Sequence, residues 1–173
     1  MVTSSTYAEK AASRRRKRGA ARAGASATAK AGKNYREIFA ASPQARIEMI
    51  RKGVPAIEAK RLGQALGVEQ RLLFRALGLK VATVNRKIAQ SEQLASDESE
   101  RLLGVERLIG QVEAIIAESG TPDGFDAPEW LSRWLREPLP SIGGALPIDL
   151  LDTMEGQSLV SEALARTQTG AYA

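Results

Sequence analysis

From Ser42 onward, glycine and proline recur at intervals that leave room for short helices and little else. SPQARIEMIRKG offers Ser42 as N-cap, Pro43 at the first helical position, Ile47 and Ile50 on one face, and Gly53 as the stop. VPAIEAKRLGQALG repeats the logic, with Pro55 near its start, Ile57, Leu62, Ala65 and Leu66 inward, and Gly67 after it. EQRLLFRALG places Leu72, Leu73, Ala76 and Leu77 on one stripe before Gly78, and KVATVNRKIAQ sets Val84 and Ile88 one turn apart. This period is that of helices, and it predicts an all-α chain.

Two consecutive "helix, LGV or LGL, helix" units compete to be a helix-turn-helix. In that motif a small residue sits four positions before the turn glycine, and an apolar residue six positions after it anchors the second helix. The register centred on Gly67 offers Gly63 and Leu73, whereas the one centred on Gly78 offers Val84 but the bulky Phe74. Charge favours Gly78. Lys80, Thr83, Asn85, Arg86 and Lys87, with Arg75 just before the turn, supply phosphate donors and a side-chain amide at the start of a helix. After Gly67 the next helix is mostly core. An ordinary helical bundle with a solvated basic face is the bland alternative.

The distribution of charge supports a polyanion partner for the front of the chain. Residues 1–36 carry ten Lys/Arg against Glu9 alone, and residues 37–90 carry ten against four Glu. Residues 91–173 reverse this, with five Arg against fifteen Asp/Glu. The front 34 residues, including SRRRKRGAARAGASATAKAGK, have almost no branched apolar side chains and read as a disordered basic tail. It suits a nucleic-acid-tethering arm, an organellar transit peptide or a merely solubilising extension; a twin-arginine signal fails for want of an apolar h-region.

SDESERLLGVERLIGQVEAIIAESG should form a long helix with Ser96 as N-cap. Leu102, Val105, Ile109, Val112 and Ile116 step by three and four, a seam that can pack on the chain's own helices or on a second copy, with some part in a homodimer the favoured use, although Gly104 and Gly110 each weaken the helix by roughly 1 kcal/mol relative to Ala. TPDG, Thr121 to Gly124, then marks a boundary. It divides a DNA-binding and dimerisation domain at 35–120 from a C-terminal domain at 121–173. Removing residues 125–173 should then leave DNA binding largely intact.

The C-terminal domain holds both tryptophans of the chain and its Gly-Gly pair, in WLSRWLREPLPSIGGALPIDLLDT. Asp126 is an N-cap with Glu129 three residues on, and Phe125 is placed to staple against Trp130. The helix should reach about Arg136, since Pro138 and Pro140 cannot continue it. Gly143 and Gly144 permit a reversal, Pro147 opens a turn carrying Leu150, and a last helix from about Thr153 to Thr167 should bury Leu159, Val160, Ala163 and Leu164. A rigid Pro/Gly loop beside aromatics suits an interface, because a preordered segment loses little entropy on docking. Core packing is the competing use of the same aromatics.

The stretch from Asp126 to Ala173, above all WLREPLPSIGGALPIDLLDTMEG with its terminal GAYA, resembles the toxin-binding domain of the Xre/MbcA/ParS family of bacterial type II antitoxins. That pattern has a WL pair, prolines, an LGG-like turn, a further proline, LLDT with a following glycine, and Gly-x-Tyr-Ala near the end. Here Ile142 replaces the usual Leu, and Leu146 stands where a hydroxyl residue often caps. Val54 to about Glu118 resembles the family's Xre-like DNA-binding portion through ALGV, RALGL and TVNRK, with Phe74 and Lys87 as departures. The resemblance implies an antitoxin that covers the active-site entrance of a RES-type, NAD-consuming, ADP-ribosyltransferase-like toxin, represses its own operon by binding promoter DNA, and performs no chemistry itself. Trp134, Leu135, Pro138, Gly143, Gly144, Pro147, Leu150 and Tyr172 are the residues expected to touch the toxin or shape the surface that does.

Composition narrows the rivals. With no cysteine and no histidine, disulfides, thiolate metal sites, Cys nucleophiles and His-based triads are excluded, and a bacterial cytoplasmic setting fits. No cofactor is expected. No run of 18 apolar residues exists, so no membrane partner is expected either. Asp149, Asp152 and Glu155 are spaced for a hard cation, but carboxylates at a helix start more often serve the dipole. A free-standing regulator whose C-terminal module binds another partner remains the main alternative, and a sequence-blind nucleoid protein is a third.

Overall fold

The structure, a computed structural model, describes residues 33–120 and 124–168. The basic tail, most of the TPDG turn and the terminal GAYA with Tyr172 lie outside the described residues. Among the described residues all regular structure is helical: α1 (Tyr35–Ala40), α2 (Pro43–Lys52), α3 (Ile57–Leu66), α4 (Gln70–Ala76), α5 (Val81–Ala89), α6 (Ser96–Ser119), α7 (Ala127–Trp134) and α8 (Met154–Gln168). Two 3-10 turns, Pro140–Ile142 and Pro147–Leu150, join α7 to α8. None of these helices is long and apolar enough to cross a membrane.

Local chemistry sets the helix ends. Ser42 Oγ accepts from the amide of Ala45, with Pro43 in the first turn, and Asp126 Oδ1 accepts from the amide of Glu129 at 2.8 Å. The start of α6 departs from expectation. Ser96 is its first helical residue rather than its cap, and the N-cap is Ala95, whose own N–H donates to Glu98 Oε2 at 2.8 Å. Glu98 thus supplies half of a capping box without any hydroxyl partner.

Helix α6 is the axle of the fold. From Leu102 to Val112 only Arg107 escapes burial, because α1, α2, α7 and α8 all pack on this one helix. Leu102, Val105, Ile109 and Val112 are buried within the single chain, and Ile116 packs against the same core. The stripe expected to form a dimer seam is therefore occupied intramolecularly from Leu102 to Val112, and only Ile116 at its end stays partly exposed. A two-heptad stripe looks the same in sequence whichever way it is covered.

The glycines of α6 mark close approaches rather than weak points. A Cβ on Gly110 would overlap the backbone carbonyl of Tyr35, which brings α1 against α6, and a Cβ on Gly104 would overlap the side-chain amide of Gln157 from α8. Gln157 is almost fully buried, and its Nε2 donates to the carbonyls of Arg101 at 3.0 Å and Leu151 at 2.8 Å. Beside the α1 contact, burial together with Glu106, Glu113 and Glu58 pushes the Tyr35 phenol up to about 12. Burial likewise raises the Glu113 carboxyl above its ordinary value, against the smaller opposing pull of Arg36.

Two apolar positions are not where periodicity puts them. Leu159 is 43% exposed, because α8 buries Gly156, Gln157, Val160, Ala163 and Leu164, an arc centred about 100° away from it. Ile47 is 45% exposed, since α2 covers α6 without burying any residue fully.

The described residues from 34 to 120 and from 124 to 168 share one continuous core. Leu62 and Leu66 of α3, Leu102 and Val112 of α6, Leu131 and Trp134 of α7 and Val160 and Leu164 of α8 belong to a single cluster, and α3 packs directly on α7. The segment boundary near TPDG is not a boundary of this core.

Candidate functional site

Two surfaces collect the residues singled out by the sequence. The first is built on α4 and α5. Helices α3 and α4 end in the same way: Gly67 and Gly78 both adopt φ of +62°, Val68 and Leu79 donate back to the carbonyls of Gly63 and Phe74, and Gly67 and Gly78 to those of Gln64 and Arg75. These are paired Schellman turns, the left-handed geometry that glycine adopts without Cβ strain. Both registers are thus structurally intact.

They differ in what the following helix exposes. In α4, Leu73 and Phe74 face the core while Arg71 and Arg75 are exposed. Phe74, bulky at a position where a small residue was expected, is completely buried beneath the turn. In α5 only Val84 is buried, leaving Lys80 at the N-cap, Ala82, Asn85 and Arg86 exposed and Thr83 half-buried.

The side chains of this face are already engaged with one another. Asn85 Oδ1 accepts from Gln70 Nε2 at 2.9 Å, bridging the two helices, and Arg86 contacts Gln90 and, at 3.2 Å, Glu92. The Arg86 pair is half exposed, so it contributes little and a phosphate could displace Glu92. Lys87 is different. Its ammonium pairs with Glu98 where both side chains are only 12–13% exposed, so its first task is to fasten α5 to the start of α6 rather than to stand free for a nucleic acid.

The second surface surrounds the loop between α7 and α8. Phe125 and Trp130 lie with ring centroids 6.3 Å apart, the hydrophobic staple expected of N′ and N4, and Trp130 stacks on Trp134 at 6.1 Å with planes 17° apart. Beyond Trp134 the chain closes on itself. Leu139 N–H donates to Ala145 O at 3.1 Å, Gly144 N–H to Leu139 O at 2.9 Å, and Ile148 N–H to Leu135 O at 2.9 Å. Gly143 and Gly144, at φ of +73° and +80°, make the reversal and have open space around them. The tip Pro138 to Gly144 is therefore held in one shape by its own hydrogen bonds.

Expected contact residues divide sharply by burial. Pro138, Gly143 and Gly144 are exposed and Leu150 half-buried, whereas Trp134, Leu135 and Pro147 are buried and shape the loop from beneath. Sequence reasoning left Trp130 out of this group, yet Trp130 is the tryptophan that reaches the surface. It lines an apolar cleft of about 210 Å³ with Val112, Ile115, Ile116, Leu164 and Thr167, and also a second cleft with Arg133, Trp134 and Glu137. Its i, i+4 relation to the buried Trp134 was the available signal.

The LLDTMEG pattern has a local explanation. Leu151 is fully buried, Thr153 Oγ1 accepts from the amide of Gly156 at 3.1 Å to cap α8, and a Cβ on Gly156 would overlap the Leu150 carbonyl. The turn at Gly78 lies against Asp152, and Arg101 donates from Nε to the Leu77 carbonyl at 2.8 Å, so the two surfaces share supporting residues.

A helix-turn-helix scaffold packed on a capped Pro/Gly loop module is found here in one chain, and comparison with known proteins places that combination among type II antitoxins. Residues 45–107 match the antitoxin Xre-like helix-turn-helix domain, and residues 123–170 match the antitoxin Xre/MbcA/ParS C-terminal toxin-binding domain. The chain is 57% identical over 139 residues to the Prs ADP-ribosylating antitoxin of Sphingobium sp. (strain YBL2), an alignment covering 80% of this chain and 87% of that protein. It is 27% identical over 92 residues to Antitoxin Xre of Pseudomonas putida (strain KT2440), covering 53% of this chain and 52% of that one. The chain belongs to the Xre/MbcA/ParS family of antitoxins.

Proposed function

We propose that this antitoxin neutralises a RES-type, NAD-consuming, ADP-ribosyltransferase-like toxin by seating the Pro138–Gly144 tip and the surface around Trp130 over the toxin's active-site entrance, and that it represses its own operon through α5. Residues 121–173 serve the toxin and residues 35–120 the promoter. The protein acts by binding rather than by chemistry, in the bacterial cytoplasm. The name of the Sphingobium relative, an ADP-ribosylating antitoxin, supports the reaction class assigned to the toxin.

The observation that carries the toxin reading is the preformed tip: three backbone hydrogen bonds and two left-handed glycines hold exposed Pro138, Gly143 and Gly144 in place next to a surface tryptophan. The DNA reading rests on Lys80, Asn85 and Arg86 projecting from a helix that buries only Val84. Arg75 and Thr83 flank them. A homodimer on a two-fold operator would double these contacts, joined through a face other than the α6 stripe.

Co-expression with a RES-type toxin gene from the same host tests the first half. The intact tagged antitoxin should retain the toxin and abolish its NAD consumption, and Trp130→Ala or Gly144→Val should weaken capture at least tenfold. Unchanged capture by both variants would overturn the assignment of that surface. Promoter retardation tests the second half, with Arg86→Ala weakening binding to the operator.

A further inference from the structure

We infer that Gln70 and Asn85 act as one composite reader of a single A·T base pair, an inference that rests on α5 being the DNA-facing helix. The hydrogen bond from Gln70 Nε2 to Asn85 Oδ1, 2.9 Å long, joins residues fifteen positions apart on two different helices at an exposed face. Each primary amide carries one acceptor oxygen and a two-hydrogen donor nitrogen. With Asn85 Oδ1 turned to Gln70, the orientation of the Asn85 amide is fixed, and its Nδ2 remains as donor. Across the pair, Gln70 Oε1 remains as acceptor. No other partner occupies either atom among the described residues.

The linked pair thus keeps one donor and one acceptor for a base, the same two functions that a single purine edge can match. In the major groove adenine shows an N7 acceptor next to an N6 donor, guanine shows two acceptors, and cytosine and thymine each show one polar group. Asn85 Nδ2 donating to N7 and Gln70 Oε1 accepting from N6 satisfies both partners, whereas guanine O6 would meet the Gln70 oxygen with like charge. The cross-helix bond also removes rotamer freedom that two separate exposed amides would otherwise lose on binding. Gln70 is accordingly both a contact and a positioning residue for Asn85.

The test selects high-affinity duplexes from a random pool with the full-length protein, then repeats the selection with Gln70→Ala, Asn85→Ala, the double variant and Gln70→Glu, which accepts but cannot donate to Asn85. Each variant should lose the same A·T preference at one position, by roughly tenfold, keep its other preferences, and the double variant should be no worse than either single. Replacing that adenine with 7-deazaadenine should weaken the unaltered protein by roughly tenfold and leave Asn85→Ala unchanged. Uniform loss of affinity at all sequences, loss of preference at different positions in the two single variants, or indifference of the unaltered protein to 7-deazaadenine overturns the inference while leaving α5 as the DNA helix. Failure of the unaltered protein to enrich any sequence overturns the DNA reading itself.

Discussion

Single side chains show where burial and proximity override local preference. Gly110→Ala improves helix propensity by about 1 kcal/mol, but the new methyl would meet the Tyr35 carbonyl, and a backbone atom cannot swing aside. Overpacking costs about 1–3 kcal/mol, so the substitution should lower stability on balance, read as an earlier urea midpoint. Glu113 gives a pH prediction. Its carboxyl is raised in the fold by burial, so the folded state binds its proton more tightly than the unfolded chain. Stability from this group is then fully present below the ordinary carboxylate range and is lost as pH rises through the raised value. Glu113→Gln should raise the melting temperature at neutral pH, with the gain shrinking as pH falls into the ordinary range. Equal gains at all pH would show that ionisation is not the cause. Such effects lie beyond sequence reading: Ser42, Asp126 and the Phe125–Trp130 staple involve residues within five positions and were legible, whereas Gly110, Gly104 and Gly156 are explained by atoms a turn or a whole helix away.

At the scale of elements, periodicity located the helices and misjudged some of their faces. Leu159 reads as inward beside Val160, yet the direction from which α6 approaches α8 decides which arc is covered. Lys87 is the same lesson in charge: on α5 it looks like one more cation for DNA, and only the arrival of Glu98 from α6 makes it a clamp. Lys87→Met should therefore act on stability, costing about 1–3 kcal/mol because Glu98 loses a hydrogen-bonded partner at a nearly buried site, while sequence preference on DNA stays as it was. Arg86→Ala should do the reverse, since its pair with Glu92 is half exposed. Denaturant melts and operator titrations on the two variants separate these roles, and matching profiles would mean that Lys87 belongs to the DNA face after all.

For the molecule as a whole, the two proposed binding surfaces sit on one core rather than on two. Leu131, Trp134, Leu135, Leu151, Val160 and Leu164 of the C-terminal segment pack with Leu62, Leu66, Leu102 and Val112 of the helix-turn-helix segment, and Arg101 ties the turn before α5 to the Gln157 amide of α8. The sequence points to separable modules because the TPDG turn interrupts the helical pattern there, but a turn signal does not report which apolar faces meet. Deleting residues 125–173 would strip those six large apolar side chains and Ile148 from the shared cluster, each contributing about 1.5–3 kcal/mol, a loss comparable to the entire stability of an ordinary domain. The truncated chain should therefore lose cooperative thermal unfolding and promoter retention together. Trp130→Ala in the intact chain, which removes only a half-buried ring, should lose toxin capture and keep both. A truncated chain with a sigmoidal melt and normal operator binding would mean that α3 and α6 can close over their exposed faces unaided, and that the shared core is a convenience of packing rather than a requirement for binding DNA.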